Sequence, residues 1–415
     1  FQAEDGIRDR SPSRGLGDVY KRQTVVLLSL IFGLSAFGTD MYLPAFPAIR
    51  VDFGANAGAV QLSLSFFLYG NGLGQLIFGP LSDRFGRKPV LLLGLTGFAL
   101  ASFACVLTSN ITELLATRFV QGAASASGPV LVRALINDKV DREKAAQMIA
   151  LLTGLMAITS MLTPIIGGWI VQHMRWQIIF VVIGCIGACL LLMSATSLQE
   201  SLAKEHRLER LGIPEIFSGY LEIARNRAFW CYVLPSALMF AGVFAYVGIN
   251  SFLLIDDLNM SEQFYGIYFS IAASAYVLGS LTARYLLRLV GVVRCILIGL
   301  TLGFVTALAS AIASLSFPLS VALVMVPGLF IFFATALILP GALSVAVSLF
   351  PHRAGSASAL VGFTQITFAG LSTALAGHLY NSSKLPLYLF ILGCCIVAIM
   401  VWVGSAKIRR AASPA

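Results

Sequence analysis

Few residues of the sequence are charged. Of its 415 residues only 11% are Asp, Glu, Lys or Arg, whereas 58% are hydrophobic, and an average soluble domain is about 25% charged. So few charged side chains cannot cover a soluble surface, which excludes an ordinary soluble enzyme or binding domain. The composition predicts an all-α protein that crosses a membrane many times, because a helix satisfies its own backbone hydrogen bonds in lipid.

Signals of catalysis are also missing. No glycine-rich loop with Lys-Ser or Lys-Thr follows a strand pattern, and no serine lies in a nucleophile elbow. The four histidines are scattered, and the seven cysteines lie within apolar runs without a paired loop spacing, as small hydrophobic side chains do. We therefore expect neither an ATP-driven pump nor a membrane enzyme, and neither a metal nor a cofactor.

Basic residues are distributed unevenly along the chain. It has 28 Lys and Arg residues and a net charge of +9, but on one predicted side only Arg50, Arg175 and Lys384 lie in loops. Arg118 is the only one placed within a span, and most of the others fall in loops on the opposite side and in the C-terminal tail. This asymmetry marks the cytoplasmic side. It predicts cytoplasmic termini and no nucleic-acid partner.

Twelve apolar runs follow from Thr24 onward, each about long enough to cross a bilayer as a helix. Six precede a polar segment and six follow it, which predicts two six-helix halves. A weak repeat supports this division, since Gly79-Pro-Leu-Ser-Asp-Arg84 is echoed by Gly279-Ser-Leu-Thr-Ala-Arg284. The predicted segments are a first half at 24–195, a solvated cytoplasmic linker at 196–228, a second half at 229–405 and a cytoplasmic tail at 406–415.

The first 23 residues do not match the rest of the chain. They are polar, mixed in charge and without helical periodicity. The segment 1–23 resembles translated adapter sequence, so we expect it to be non-native and exclude it from fold reasoning. A disordered native tail is the alternative interpretation.

The link between the second and third runs, Gly79–Pro89, carries the most specific motif. Pro80 and Pro89 are expected to end one helix and begin the next. A basic turn on the cytoplasmic side explains the charges but not the glycine spacing. The link resembles the signature loop of the major facilitator superfamily, which implies a secondary transporter whose loop latches the cytoplasmic side when the carrier faces outward. The signature positions are Gly79, Asp83, Arg84, Gly86, Arg87 and Lys88.

One carboxylate, Asp40, lies within a predicted span. Placing a charged acid there costs roughly 2.5–3.5 kcal/mol, and burial favours the protonated form, so Asp40 is the predicted proton carrier. Arg118 in the fourth run is expected at a similar depth, in the outer third of the membrane, where it pairs with Asp40 directly or through water. The alternative is that Asp40 merely ends the first helix near the membrane surface, before Pro44.

Two further stretches resemble motifs of the same superfamily. Arg118-Phe-Val-Gln-Gly-Ala-Ala-Ser-Ala126 resembles the motif of its fourth helix, where the arginine is linked to proton transfer, so Arg118 and Gln121 are expected to tune Asp40. The stretch 154–168 resembles the fifth-helix motif of drug:proton antiporters. Pro164 is expected to bend that helix, and Gly167 and Gly168 to permit tight contacts there. An ordinary kinked packing helix is the alternative.

The end of the first run, Asp40-Met-Tyr-Leu-Pro-Ala-Phe-Pro47, resembles bacterial exporters of the bicyclomycin and chloramphenicol resistance type. The resemblance implies efflux of small lipophilic or amphiphilic drugs across the bacterial inner membrane, driven by inward proton flow through alternating access. The alternative on the same fold is a proton-coupled metabolite carrier, either an importer or a sugar or amino-acid exporter. A membrane receptor or assembly factor without transport is a third hypothesis. A monomer surrounded by membrane lipid is expected.

A drug pocket should be mostly apolar with few polar groups. Buried polar side chains within spans more often join helices, so only a minority of candidates should touch substrate. The candidate lining residues are Tyr42, Tyr69, Tyr246, Asn250, Tyr268 and Gln365.

Overall fold

A computed structural model of the chain describes residues 22–203, 205, 207, 212–380 and 383–412. Within these residues every regular element is a helix. Nine helices are long and apolar enough to cross a membrane, and a broken pair at the start of the chain makes ten. The segment predicted to be non-native falls, from residue 1 to 21, outside the described residues.

The first half contains six spans, numbered here in chain order. The first is broken into Arg22–Phe32, Leu34–Thr39, a 3₁₀ turn at Leu43–Ala45 and Phe46–Asp52. The other five are Ala57–Phe85, Arg87–Val106, Ile111–Ser125 continued by Ser127–Lys139, Arg142–His173 and Gln177–Ser197.

The second half contains spans seven to twelve. The seventh is Arg227–Ser251, continued by a π-helix at Phe252–Asp257. The eighth and ninth form one long element, Glu262–Ser316, interrupted at Gly291. The tenth, eleventh and twelfth are Val321–Ser348, Ala354–Leu379 and Leu385–Gly404, followed by a short helix at Ala406–Ala412.

Three features reconcile the nine apolar helices with twelve spans. The first span is one crossing, bent by 50° between Gln23–Phe32 and Leu34–Asp52. Glu262–Ser316 holds two crossings that meet at Gly291, where φ is +78°. The helix Ala57–Phe85 is long enough to cross, but its amide side chains lower its hydropathy; these are Gln61, Asn71 and Gln75. The predicted all-α fold with twelve spans in two halves is confirmed.

The turn between the second and third spans is shorter than predicted. Pro80 was expected to end the second helix, but that helix runs through Pro80 to Phe85, and the third begins at Arg87. Only Gly86 is non-helical, with φ +99°, a value that residues with a side chain rarely adopt. Gly291 forms the corresponding one-residue turn between the eighth and ninth spans.

The second helix tolerates Pro80 because another segment supplies the missing hydrogen bond. Proline has no N–H, so the carbonyl of Leu76, four residues earlier, loses its helical partner. The hydroxyl of Tyr220 donates to that carbonyl at 3.1 Å. Tyr220 lies on the linker, which therefore contacts the second span where the helix would otherwise be weakest.

The linker is more structured than the predicted solvated segment. Residues Ile213–Arg225 form a helix, and Ile223 packs into an apolar cluster with Phe229 and Val361 of the second half. Arg353 also forms an ion pair with Glu222 at 3.2 Å. The prediction of a solvated linker is wrong for this part because the helix has an apolar face to bury; residues 204, 206 and 208–211 lie outside the described residues.

The two halves pack together at one end of the bundle and separate at the other. We call the end with Gly86, the linker and Gly291 the basic end, and the other the opposite end. From the opposite end to mid-length, the second span contacts the eleventh and the fifth contacts the eighth. Pairs in contact across the halves include Gly58 with Gly377, Tyr69 with Gly370, Gln75 with Gly362, Gly168 with Glu262, and Pro164 with Gly266.

Contact is lost towards the basic end on the same helices. A methyl group added at Gly79, Gly154 or Gly355 would meet no described atom within 4 Å. Each of these glycines lies on the helix face that makes the contacts described above. The second and eleventh spans therefore diverge at the basic end, and so do the fifth and eighth. The space between the halves therefore opens at the basic end.

Candidate functional site

Asp40 lies at a break in the middle of the first span. The helix ends at Thr39, and the chain turns through residues 40–42 before it resumes and continues to Asp52. At 1.5 Å per residue, Asp52 lies about 18 Å further along the chain. Asp40 is half-buried, so it does not end the span at the membrane surface as the alternative interpretation required.

The side chain of Asp40 is surrounded by hydroxyl groups. The Thr39 hydroxyl donates to its Oδ1 at 2.8 Å, and the Ser160 hydroxyl of the fifth span also donates to it. Tyr265 of the eighth span, in the other half, is near enough to interact electrostatically with its charge. Asp40 therefore lies where the two halves meet, with a donor that stabilises a carboxylate and a tyrosine of the other half nearby.

Arg118 is fully buried in a cage of aromatic rings. Its guanidinium carbon lies 4.4 Å from the ring centre of Tyr42, 4.3 Å from Phe67 and 5.7 Å from Phe180. The negative faces of aromatic rings attract a cation, so the cage takes the place of a counter-ion. No ion pair or hydrogen bond joins Arg118 to Asp40 among the described residues, so the direct pairing predicted between them is absent in this conformer.

Gln121 fixes the orientation of Arg118. Its Oε1 accepts a hydrogen bond from Nη1 of Arg118 at 2.5 Å, and its Nε2 donates to the hydroxyl of Ser102 at 2.7 Å. Ser102 in turn donates to the carbonyl of Phe98 on the third span. Both polar atoms of the amide are thus hydrogen-bonded, whereas Nε and Nη2 of Arg118 have no hydrogen-bond partner within the described residues.

The signature loop ties together the basic ends of three spans and the linker. Arg87 contacts Asp83 at 2.5 Å, Asp138 at 3.0 Å and the Ser82 hydroxyl at 2.7 Å. Its backbone N–H donates to Glu200, which thereby caps the start of the third helix. These contacts all lie within the first half and its exit into the linker. In this conformer the predicted latch is disengaged from the second half.

The other signature positions contribute less to this network. Lys88 donates to the carbonyl of Ala195 at 2.8 Å, and Arg84 lies over the ring of Phe85 at 5.0 Å. Gly79 faces open space within the second helix, so it makes no turn. Gly86 provides the whole turn.

The fifth span approaches its neighbours as closely as glycine allows. A methyl group at Gly167 would lie 2.1 Å from the carbonyl oxygen of Met41, beside Asp40, and one at Gly168 would lie 2.2 Å from that of Glu262 in the other half. The helix passes through Pro164 without interruption. The predicted tight contacts are present, and one of them crosses the boundary between the halves.

The comparisons with known proteins agree with this architecture. The family model described as Major Facilitator Superfamily matches residues 28–370. The chain belongs to the major facilitator superfamily. It is 33% identical to an uncharacterized MFS-type transporter of Bacillus subtilis, YdgK, over 92% of this chain and 95% of that protein.

Other relatives of this major facilitator bear names that refer to resistance. It is 28% identical to a bicyclomycin resistance protein homolog of Haemophilus influenzae, over 90% of this chain and 93% of that one. It is 27% identical to multidrug resistance protein D of Escherichia coli, with 92% and 95% covered. The xylose transporter XylE of E. coli shares the fold, with TM-score 0.69, 14% identity, and 91% and 96% covered.

The six candidate lining residues of the transporter fall into two groups. Tyr69 and Gln365 are half-buried; Tyr69 faces Gly370 across the boundary between the halves. Gln365 donates to the hydroxyl of Ser236. The other four are buried and hydrogen-bonded within the protein. They are Tyr42, bonded to Ser63, Tyr246 and Tyr268, bonded to each other, and Asn250, which accepts from Tyr265.

Sequence analysis missed two polar contacts of this region. Tyr265 has no motif of its own, although it contacts both Asn250 and the surroundings of Asp40. Asn71 donates to the hydroxyls of Ser35 and Ser125, both at 2.9 Å, and thereby joins the first, second and fourth spans. The signal available in the sequence was Asn71 itself, an amide within an apolar run.

Arg118 is not the only basic residue within a span. Arg133 lies in the second helix of the fourth span, Ser127–Lys139, half-buried over the ring of Phe32 at 5.3 Å. The sequence analysis placed Arg118 alone within a span and assigned Arg133 to a loop, which is wrong. The helix continues to Lys139, so Arg133 is part of the span.

Proposed function

We propose that this transporter exports small drugs across the bacterial inner membrane in exchange for protons. The observation that carries the proposal is the position of Asp40. Among the described residues, it is the one carboxylate midway along a span, and it lies where the two halves meet. An acid at such a place is rare and is most often functional.

Proton exchange at Asp40 follows from its surroundings. The hydroxyls of Thr39 and Ser160 stabilise the carboxylate, while a low-dielectric site favours the neutral acid. When the halves rock, Tyr265 moves relative to Asp40 and water reaches the carboxyl group from the other side. Arg118 and Gln121 act on this exchange through the first span, because Tyr42 stacks on Arg118 two residues after Asp40.

Alternating access accounts for the shape of the bundle. The asymmetry of basic residues supports a cytoplasmic location for the basic end, so the conformer described here opens to the cytoplasm and is closed outside. In that state the loop around Arg87 contacts only the first half. We propose that it engages the second half when the basic end closes, which makes it the cytoplasmic latch.

Drugs are the proposed substrates for two reasons. Two relatives are named for bicyclomycin or multidrug resistance, and the boundary between the halves holds few charged groups that a polar metabolite would require. The half-buried Tyr69 and Gln365 offer a few uncharged polar groups, as expected of a site for small lipophilic molecules.

The test is drug-dependent proton movement in reconstituted vesicles. Vesicles that contain the protein and a pH-sensitive dye should show proton flux when chloramphenicol or a fluorescent lipophilic cation is added. Asp40→Asn should abolish transport driven by a pH gradient. Asp141→Asn, the same change at an exposed site, should leave it intact.

Three results would contradict the proposal. If Asp40→Asn transports at the wild-type rate across a pH series, the coupling role of Asp40 is wrong. If the wild-type protein moves protons with sugars or amino acids but not with drugs, the transporter is a metabolite carrier. No substrate-dependent proton flux with any compound would favour a protein without transport activity.

A further inference from the structure

One ion pair joins the spans of the two halves among the described residues. Nη2 of Arg50, near the end of the first span, lies 3.1 Å from Oδ2 of Asp256, near the end of the seventh. The side chains are 39% and 22% exposed, so water reaches part of each side chain, whereas Oδ2 of Asp256 is itself buried. Exposed ion pairs contribute little to stability, so this contact can break and reform during transport.

An aromatic contact lies directly beneath this ion pair. Phe46 and Phe252 are fully buried, with ring centres 5.9 Å apart. Each lies four residues, or one helical turn, before the charged residue on its own segment. The two segments therefore meet in two layers. The ion pair lies nearer the surface, and the buried aromatic pair lies one turn deeper.

Each half fixes its own charged residue through a neighbouring aspartate. In the first half Asp52 accepts hydrogen bonds from Trp176 at 2.8 Å and Gln177 at 3.2 Å. In the second half Asp257 accepts one from the hydroxyl of Tyr380 at 2.7 Å. Asp52 and Asp257 thus hold the two segments within their halves, while Arg50 and Asp256 remain available to each other.

The same stack reaches the buried arginine. Tyr42 lies one turn before Phe46, with ring centres 5.1 Å apart, and its ring lies over the guanidinium of Arg118. Asp40 lies two residues before Tyr42 on the same segment. A movement that separates Phe46 from Phe252 therefore acts directly on the segment that carries the proton-binding group.

We propose that Arg50 and Asp256, with Phe46 and Phe252 beneath them, form the outer gate of the transporter. The ion pair and the aromatic pair close the opposite end in the conformer described here and separate when the carrier faces outward. This inference rests on the proposed alternating access, and it adds the residues that position the two halves at the closed end.

The test measures how readily a cysteine behind the gate is reached from outside. Gln61 is fully buried between the halves beside Gly248 and Gly377, so Gln61→Cys, made in a background without the seven native cysteines, reports opening. A membrane-impermeant maleimide should modify it slowly in the otherwise unchanged protein. Arg50→Asp should raise the rate about threefold to tenfold, because a like-charge pair replaces an attractive one.

Two further variants complete the design. The double exchange Arg50→Asp with Asp256→Arg should restore the slow rate, because it rebuilds the pair with its charges swapped. Arg175→Asp makes the same charge change at an exposed residue of the same end and should have no effect. Recovery by the double exchange assigns the effect to the Arg50–Asp256 pair, and size-exclusion chromatography of the single variant checks that it is folded.

The outcomes separate the gate from the transport activity. An unchanged rate in Arg50→Asp, or a double exchange that stays fast, would overturn the gate. Labelling requires no drug or proton gradient, so a gate that responds as expected in a protein that exports no drug would leave the gate standing and refute drug export. Drug export by a protein whose labelling rate does not respond to Arg50→Asp would refute the gate and leave drug export standing.

Discussion

At the scale of single residues, the buried charge of Arg118 is the most unusual feature. An isolated cation inside a membrane is expensive unless it is paired or solvated, yet the groups around this guanidinium are three aromatic rings and one amide. A planar guanidinium stacks on rings and donates to an amide at the same time, whereas a lysine ammonium presents a compact charge on a flexible chain. The cage therefore selects arginine by shape.

Arg118→Lys should lower stability although the charge is kept. Loss of stacking on Tyr42 and Phe67, and of the hydrogen bond to Gln121, should cost about 1–3 kcal/mol. Arg84→Lys is the matched control, because Arg84 stacks on the exposed ring of Phe85 alone and should lose less than about 1 kcal/mol. Thermal unfolding of both purified variants measures the difference, and equal losses would contradict the cage.

At the scale of elements, the linker helix stabilises a weak point of the second span. Burial and the negative charge of Asp83 raise the pKa of Tyr220 to about 12. Its hydroxyl therefore remains a donor to the Leu76 carbonyl at every physiological pH. This contact lies near the signature loop, so the linker and the loop both contact the same end of the second span.

A double-mutant cycle tests whether Pro80 creates the need for Tyr220. Tyr220→Phe should destabilise the protein by about 1 kcal/mol, because the Leu76 carbonyl is left without a donor. In a Pro80→Ala background, residue 80 regains its N–H and donates to that carbonyl, so the same change should cost almost nothing. Denaturation of the four proteins gives the coupling energy. Equal costs of Tyr220→Phe in both backgrounds would show that the two residues act independently.

At the scale of the whole molecule, the glycines of the fifth span distinguish its two ends. Gly168→Ala places a methyl group against the carbonyl of Glu262 in the other half and should push the halves apart at the opposite end. Gly154→Ala, on the same helix, meets no described atom and should be neutral or slightly stabilising, since alanine favours helices by about 1 kcal/mol.

Spin labels at positions 79 and 355 report the result. Both positions face open space at the basic end, and their separation should shorten in Gly168→Ala as that end closes. The Gly154→Ala protein should keep the original separation. A distance that stays the same in Gly168→Ala, with the protein still folded, would contradict a rocking movement of two rigid halves.

The sequence predicted the spans well but not the contacts between them. The second half was expected to end at residue 405, and its last span is found at Leu385–Gly404, because a long apolar run has few other ways to satisfy its backbone in lipid. The hydroxyl that pairs with Leu76 comes from 144 positions away. No local pattern predicts such a partner, which is why the continuation of the helix through Pro80 was missed.

The residues of the candidate site also differ in how readily the sequence identifies them. Asp40 and Arg118 were found because charged residues stand out in apolar runs. Their neighbours Tyr265 and Phe180 do not stand out, since aromatic residues occur throughout the spans. Packing of helices that are distant in sequence decides which rings surround a charge, so the aromatic cage and the contact across the halves required the structure.

The single-residue turn at Gly86 has a mechanical consequence. A joint of one residue keeps the basic ends of the second and third spans next to each other, so these two ends must move together when either span tilts. Gly291 places the same restriction on the eighth and ninth spans. Lengthening either joint by a few flexible residues would let the two ends move apart.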